Sequence, residues 1–456
     1  MLFDQIKSPG LAHFSYLIGD GAEAVVIDPR RDVDIYLEHA RRAGMRITDV
    51  LETHRNEDYL IGSRELEQQT GSRIWHADAH LDYQYGQPVE AGQVWGVGRL
   101  KLRALPTPGH TPGAFSYLLL DADDNPWMVF TGDALFAGDV GRVDFLGEDR
   151  TEEMAGVLYD SLYQEILPLG DGVLVCPAHG AGSACGAEIA ERPITSVGLE
   201  KRANPRLQHR TREAFVADVA NVLPQPPYFA HMESRNLTGK PGLADVPAPR
   251  PLSPKAFAEE AGRDDAVVVD VRSELAFASS HVPGSYYLYK SSLEPLAGEF
   301  IPVDRRILLI DDAEDPSTIM TRLRRIGFDN IAGFLSGGML SWNIQAREVA
   351  AVATLPVYAL CQILDSKRDV HLLDVRKEEE LATQGIIQNA QNIPINQIPA
   401  RLDEIPSGRP IYVFCGSGLR ATTVASLLKA AGFTDVTVAL GGFGGWTSVT
   451  CPIVRS

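Results

Sequence analysis

Two kinds of residue in this sequence could do chemistry at a point: a loop thiol, and a recurring set of histidines and carboxylates. The apolar run PIYVF ends at Cys415 and GSGLRATTVASLLKAAGF follows it, which reads as a strand, a tight glycine-bearing loop and a helix. That order puts a sulfur at a helix N-terminus, where backbone N–H groups and the helix dipole favour the thiolate, the nucleophilic form. Gly416 and Gly418, flanking Ser417 and followed by Leu419, permit the backbone angles by which successive N–H groups converge on one anion. Arg420 adds a positive charge on the same turn. A bare cysteine ending a strand is most often a small buried apolar residue. It is the whole CGSGLR loop that points to a sulfur nucleophile.

The histidines and carboxylates lie in the first half of the chain, in THRNEDY (53–59), PTPGHTPG (106–113), FTGDALF (130–136) and CPAHG (176–180). Each sits at the end of an apolar run beside glycine or proline, the placement expected of a metal site assembled along one sheet edge. One such histidine is weak evidence, because a loop or core role is commoner; four motifs in this order are hard to assign to packing. Arg142 in GRVDF could hold a substrate carboxylate with both arms of its guanidinium, or form an ordinary salt bridge. Cys185 in GSACG is a second candidate thiol, with small neighbours that permit close approach. Cys176 lies inside the run GVLVC and is expected to be buried and inert, while Cys361 and Cys451 have no recognisable setting. His76, His80, His209 and His231 fall outside the motifs and are expected to be structural or on the surface.

The elements that must position these groups follow from the wider pattern. At 456 residues the chain exceeds what one core supports, so two to four domains are expected. Its first 230 or so residues alternate β-branched runs such as EAVVIDP (23–29) with amphipathic stretches such as DVDIYLEHARRAG (32–44), an α/β layered pattern. Prolines crowd the stretch from Leu223 to Pro254, which marks a linker and a boundary near residue 250. Beyond it the sequence repeats. AVVVDVRSELAFASSHVPGS (266–285) is similar to VHLLDVRKEEELATQGIIQNA (370–390), and ILLID (307–311) to IYVFC (411–415). The offset from Asp270 to Asp311 equals that from Asp374 to Cys415, 41 residues, and Trp342 and Trp446 each follow 31 residues later. Each copy carries strand–helix–strand patterning, so both are read as α/β units with a mostly parallel sheet.

Composition bounds the rest. A formal charge of -18 disfavours nucleic acid and anionic membrane as partners. No apolar run approaches the roughly 20 residues of a spanning helix, and MLFDQIKSPGLAHF lacks the basic start and apolar core of a secretory signal, so a cytoplasmic location is expected. Five cysteines without CxxC spacing argue against a disulfide scaffold and for reduced thiols. A homo-oligomer is the expected assembly.

The loop CGSGLRAT, the LLDVR stretch before it and the AGF and GGFGGW that follow resemble the rhodanese family of sulfurtransferases over residues 355–452. The resemblance implies that Cys415 carries sulfane sulfur as a persulfide, that Gly416 to Arg420 cradle it, and that Asp374 and Arg376 are supporting structure. In the first copy Asp311 stands in place of the cysteine and DAEDPSTI has no glycine, so that copy reads as inactive, with Asp270 and Arg272 structural. The N-terminal motifs resemble the metallo-β-lactamase fold and its signature THxHxDH. Within that fold, GHTPGAFSYLL, TGDALFAGDVGRVDF and PAHGAGSACG follow the ETHE-like persulfide dioxygenases. That likeness implies an αββα sandwich holding one ferrous ion through His54, His110 and Asp133, a 2-His-1-carboxylate set with open positions for substrate and dioxygen. Asn56 and Tyr59 replace two histidines of the signature, while Asp58 and His179 remain; with Arg142 and Cys185 these two are expected around the metal or the substrate.

The resemblance as a whole implies an α/β chain with a dioxygenase domain at 1–235, a linker at 236–254, an inactive rhodanese-like domain at 255–348 and an active one at 355–456. A thiol persulfide of glutathione or coenzyme A type would be oxidised to sulfite, and Cys415 would exchange sulfane sulfur with sulfite or thiosulfate in sulfide detoxification. Two alternatives stand beside it: a dinuclear-zinc hydrolase of glyoxalase-II or lactonase type fused to the sulfurtransferase, and a sulfur carrier whose metal domain has decayed.

Overall fold

A computed structural model of the chain describes residues 1–186, 188–312, 315–366, 368–446 and 453–454. Two compact units emerge, Met1–Val246 with Arg324–Gly327, and Pro247–Leu323 with Phe328–Ser456. Cys451 lies outside the described residues.

In the first unit alternation along the strands builds two faces per sheet. Within Glu23–Ile27, Val25 and Ile27 point into the space between two sheets, while Ala24 and Val26 point to a helix layer. One sheet runs Leu2–Ser8, His13–Asp20, Glu23–Ile27, Arg46–Leu51, Arg73–His76, Gln87–Pro88. The other runs Thr195–Ser196, Leu174–Pro177, Pro126–Gly132, Phe115–Leu120, Leu100–Pro106, Val94–Val97. Tyr16, Trp95, Tyr117 and Phe130 fill the space between them. Helices Asp34–Arg42 and Ser63–Thr70 cover the first sheet through Tyr36, Ala40 and Leu66. Helices Thr151–Ser161 and Arg212–Val219 cover the second through Met154, Leu158 and Phe215. This is an αββα sandwich, and full burial of each such aliphatic or aromatic side chain contributes about 1.5–3 kcal/mol.

The proline-dense stretch is less irregular than its composition implies. Helix Phe229–Thr238 enters it, ended by Gly239 in the left-handed conformation at φ 62°, and Asn236 anchors that helix by donating to the carbonyls of Asn56 and Tyr59. At the far end Arg250–Leu252 forms the edge strand of a sheet, where Pro251 can be accommodated without its N–H.

The second unit holds two five-stranded sheets, each wholly parallel. One is ordered Arg250–Leu252, Ile331–Leu335, Arg306–Ile310, Ala266–Asp270, Tyr286–Tyr287. The other is ordered Ala353–Pro356, Val436–Leu440, Ile411–Phe414, His371–Asp374, Gln391–Asn392. The strand order is the same, so the sequence repeat is a structural repeat. In both copies a buried aspartate at the end of the strand beside the central one takes a two-pronged salt bridge from the arginine two residues on, Asp270 from Arg272 and Asp374 from Arg376. The guanidinium then donates to a carbonyl eight or nine residues ahead, of Ser280 or Gly385, and so fixes the turn after the strand.

Candidate metal centre and thiol site

His54, His110, Asp133 and His179 all follow the C-terminal ends of strands, Arg46–Leu51, Leu100–Pro106, Pro126–Gly132 and Leu174–Pro177, and so meet at one edge of the sandwich. Two buried clusters result, His54 with Glu57, His110 and Asp133, and Asp58 with His179 and Cys185; within each, the candidate ligand atoms lie within 4.8 Å of one another. Asp133 Oδ2 is 3.7 Å from His54 Nε2 and 3.4 Å from His110 Nε2. Glu57 Oε1 is 3.0 Å from His110 Nε2. His54 Nε2 and Glu57 Oε2 are buried without a hydrogen-bond partner, which is the condition of ligand atoms aimed at a cation. The residues present therefore fit a divalent metal ion.

Neighbouring groups aim these ligands. Thr53 Oγ1 donates to Asp28 at 2.8 Å, so it accepts from His54 Nδ1 at 2.8 Å and leaves Nε2 as the lone-pair atom. Gly132, at φ 52°, makes room for this, because a Cβ there would lie 2.6 Å from Thr53 Oγ1. His110 Nδ1 lies 2.9 Å from the Arg142 carbonyl, the partner that turns Nε2 toward Asp133. Burial pushes the His54 imidazole down to about 3, holding it neutral as a ligand must be. Burial would also lower His110, but Glu57 beside it outweighs that and raises it. Burial raises Asp28 to about 7 even though Thr53 donates to it twice.

The other candidates divide. Arg142 is fully engaged by protein: Nε and Nη2 hold Asp144, both at 2.6 Å, and the remaining N–H groups reach the carbonyls of Ala184, Leu223 and Pro224. No donor is left for a substrate carboxylate, so of the two readings of Arg142 the salt bridge, with Asp144, is the one the geometry matches. A charge enclosed at 4% exposure is satisfied internally or not at all. Tyr59 packs against His13, ring centroids 4.0 Å apart and planes tilted by 35°. Asn56 donates to the His54 carbonyl, and its Oδ1 is buried without a partner. Two residues here escaped the sequence reading. Glu57 occupies a spacer position of the signature, and its position three residues after His54 was the one available signal. His13 is fully buried beside His179, on a strand with no motif to mark it. His76, His80, His209 and His231 lie outside both clusters.

At the thiol, Cys415 is buried at the end of strand Ile411–Phe414, and helix Leu419–Ala430 begins four residues later. Gly418 N–H donates to Cys415 Sγ at 3.1 Å, with Gly418 at φ 122°. A second glycine loop underlies the first. Phe443 and Gly444 donate to the carbonyls of Cys415 and Gly416, and Gly442 lies so close that a Cβ would sit 2.2 Å from the Cys415 carbonyl oxygen. Arg420 does not offer its charge to the thiol alone: it grips both oxygens of Glu380 at 2.5 and 2.7 Å and overlies Gly416. In the first copy Lys290 Nζ pairs with Asp311 at 2.6 Å, and Ala276 and Pro316 stand where the second copy has Glu380 and Arg420.

Among the described cysteines, Cys176, Cys185 and Cys415 are free and buried, whereas Cys361 is disulfide-bonded, against the expectation of reduced thiols throughout. Spacing carries no signal for a pair brought together only by folding. Burial raises the Cys176 thiol to about 12, as suits an inert core residue. No helix among the described residues is long and apolar enough to cross a membrane.

Comparison with known proteins places this geometry. The metallo-beta-lactamase superfamily model matches residues 8–179, and the rhodanese-like domain model matches 253–345 and 359–449. The persulfide dioxygenase ETHE1, mitochondrial, of Homo sapiens is 32% identical over 240 residues, 50% of this chain and 84% of that protein. The hydroxyacylglutathione hydrolase GloC of Haemophilus influenzae is 26% identical over 218 residues, 43% of this chain and 93% of that protein. A crystal structure of a metallo-beta-lactamase from Staphylococcus aureus superposes with a TM-score of 0.66 at 30% identity, covering 74% of this chain and 99% of that one. The chain belongs to the persulfide dioxygenase family of the metallo-beta-lactamase superfamily, with two rhodanese-like domains in the same polypeptide.

Proposed function

We propose that this chain oxidises a low-molecular-weight thiol persulfide, of glutathione or coenzyme A type, to sulfite and free thiol, and moves sulfane sulfur through Cys415. One persulfide, one dioxygen and one water give one thiol, one sulfite and two protons. The observation that carries the reading is the convergence of His54, whose Nε2 has no hydrogen-bond partner, with His110 and Asp133, in a chain that also bears an intact CGSGLR loop. One ferrous ion held by these three residues, with Glu57 in reach, would supply the redox chemistry that joins dioxygen to sulfur. The protein's part is to aim the ligands through Thr53 and the Arg142 carbonyl, and to keep water out with Phe145, whose ring meets His110 edge-on at 5.1 Å. In the second rhodanese-like domain the Cys415 thiolate attacks the outer sulfur of a thiol persulfide, the donor's S–S bond breaks and its thiol leaves, and the Gly418 N–H holds the charge of the Cys415 persulfide. Sulfite attacks the outer sulfur, the S–S bond breaks, thiosulfate leaves and Cys415 returns as thiolate.

Protein loaded with one equivalent of iron should consume oxygen and produce sulfite when given a thiol persulfide, and His54→Ala should do neither. No uptake with iron bound would sink the reading. Two zincs per chain without iron would favour a hydrolase. Unchanged behaviour of His54→Ala would favour a sulfur carrier working through Cys415 alone. Tyr59, committed to His13 rather than to a metal, speaks against the hydrolase.

A further inference from the structure

Of the four residues in the first buried cluster, only Glu57 has no assigned part in the reaction above. Its carboxylate is fully enclosed and has two polar neighbours, both at Oε1: His110 Nε2 at 3.0 Å and the Cys185 thiol at 3.9 Å. Oε2 is buried without a partner. The turn that carries Glu57 is pinned on either side. Asn236 Nδ2 donates to the carbonyls of Asn56 and Tyr59, at 2.7 and 2.8 Å, and Asn56 folds its own amide back onto the His54 carbonyl at 3.3 Å. Between these anchors the Glu57 side chain is left facing His110.

That contact is not an ordinary hydrogen bond. His110 Nδ1 lies 2.9 Å from the Arg142 carbonyl, which can only accept, so Nδ1 carries the hydrogen and Nε2 of the neutral ring is a lone pair. Nε2 and Glu57 Oε1 are then two acceptors side by side, and a positive charge must join them. A proton on Nε2 would serve Oε1 but leave Glu57 Oε2 and His54 Nε2 without partners. A single dication reached by all four residues, whose ligand atoms lie within 4.8 Å of one another, satisfies the set together. Its two charges also match the buried carboxylates of Asp133 and Glu57, whereas a three-ligand site would enclose Glu57 uncompensated.

We propose that Glu57 is a fourth protein ligand of the metal ion, an assignment that rests on the reading of His54, His110 and Asp133 as the other three. The set becomes two histidines and two carboxylates. Four protein ligands leave two positions of a six-coordinate ion where three would leave three. A thiol persulfide then engages the ion through its terminal sulfur alone, and the amine and carboxylate groups of its carrier are not read there. The competing arrangement is a Glu57 that only positions His110 and never touches the metal.

Cobalt(II) binding by the full-length chain, stripped beforehand with a chelator, separates the two through affinity and through the visible absorption of the bound ion. Glu57→Ala is expected to weaken binding at least about 10-fold and to change the spectrum. Added acetate, which can occupy the vacated position, should bring back the parent's spectrum and most of its affinity. A Glu57→Ala variant with the parent's spectrum overturns the proposal whether or not its affinity falls, because a group acting only through His110 leaves the ligand set intact. Far-ultraviolet circular dichroism establishes that the variant is folded, and Glu57→Gln, held to the same spectral criterion, carries the test if it is not. His54→Ala tells the two levels apart. Cobalt binding lost in His54→Ala but spectrally unchanged in the Glu57 variants sinks the fourth ligand alone, while parent-like binding by His54→Ala sinks the three-ligand reading and the fourth with it. Oxygen uptake plays no part in the measurement.

Discussion

The two rhodanese-like copies share a frame and differ in what the frame holds. Both have the same parallel strand order, the same buried Asp–Arg pair at the end of the neighbouring strand, and the same pair of positive-φ glycines beneath the loop that follows the central strand, Gly337–Gly338 and Gly441–Gly442. In one the strand ends in Cys415 under a glycine N–H; in the other it ends in Asp311, satisfied by Lys290 and by the Asp312 N–H. The residues that maintain the frame are thus separable from those that make the site: the Asp–Arg pair and the glycine pair are kept while the cysteine and its loop glycines are not. The first copy also has a part in packing. Its Tyr287 N–H donates to Ser426 Oγ at 2.9 Å, on the helix that begins at the thiol loop.

Four measurements would break or sharpen this comparison. The largest effect is expected from Cys415→Ser, which should abolish sulfur transfer from thiosulfate to cyanide, while Asp311→Ser leaves it unchanged. Asp311→Cys should gain no activity, because Lys290 and Asp312 offer no cradle; appreciable transfer by Asp311→Cys in a Cys415→Ser background would show that the copies differ by one residue only. Next, removing one partner of the shared buried pair, as Asp374→Ala or Asp270→Ala, should cost about 3–5 kcal/mol in either copy by denaturant unfolding. Very unequal losses would mean the frame is not shared after all.

Gly442→Ala should cost about 1–3 kcal/mol as an overpacked contact, because its Cβ would meet the Cys415 carbonyl oxygen at 2.2 Å. Gly338→Ala, where the matching distance to the Asp311 carbonyl is 3.2 Å, should cost less. The smallest effect is at Glu380, which has no counterpart in the first copy. Arg420 holds its carboxyl below the usual value, so the pair stabilises the folded chain above the ordinary glutamate range and that contribution is lost as pH falls through the lowered value. Because the pair is partly exposed, Glu380→Gln should cost only about 0–1 kcal/mol at neutral pH. The gap to the parent should close on acidification, as thermal melts across that range can follow.

The sequence made the repeat, the sandwich and the metal-domain histidines legible because each leaves a pattern: equal offsets, alternating faces, histidines after apolar runs. What stayed hidden was the identity of partners brought together by folding. Arg142 reads as a free guanidinium until Asp144 and three carbonyls close around it, two of them from residues 223 and 224, far along the chain. Glu57 reads as a spacer until the turn after His54 points its carboxylate at His110. Cys185 lies six residues beyond His179 in a loop without regular structure, so no periodicity could tie it to Asp58.

Arg142 has a further consequence for where this polypeptide can be cut. Its backbone carbonyl aims His110, and its side chain grips the carbonyls of Leu223 and Pro224 at the start of the proline-dense stretch. A metal domain released by cleavage before Leu223 would retain every ligand, yet strand two buried N–H groups on the residue that orients one of them. Excised versions of the domain should therefore end well past Pro224, and metal retention rather than yield is the sensitive readout of a misplaced terminus.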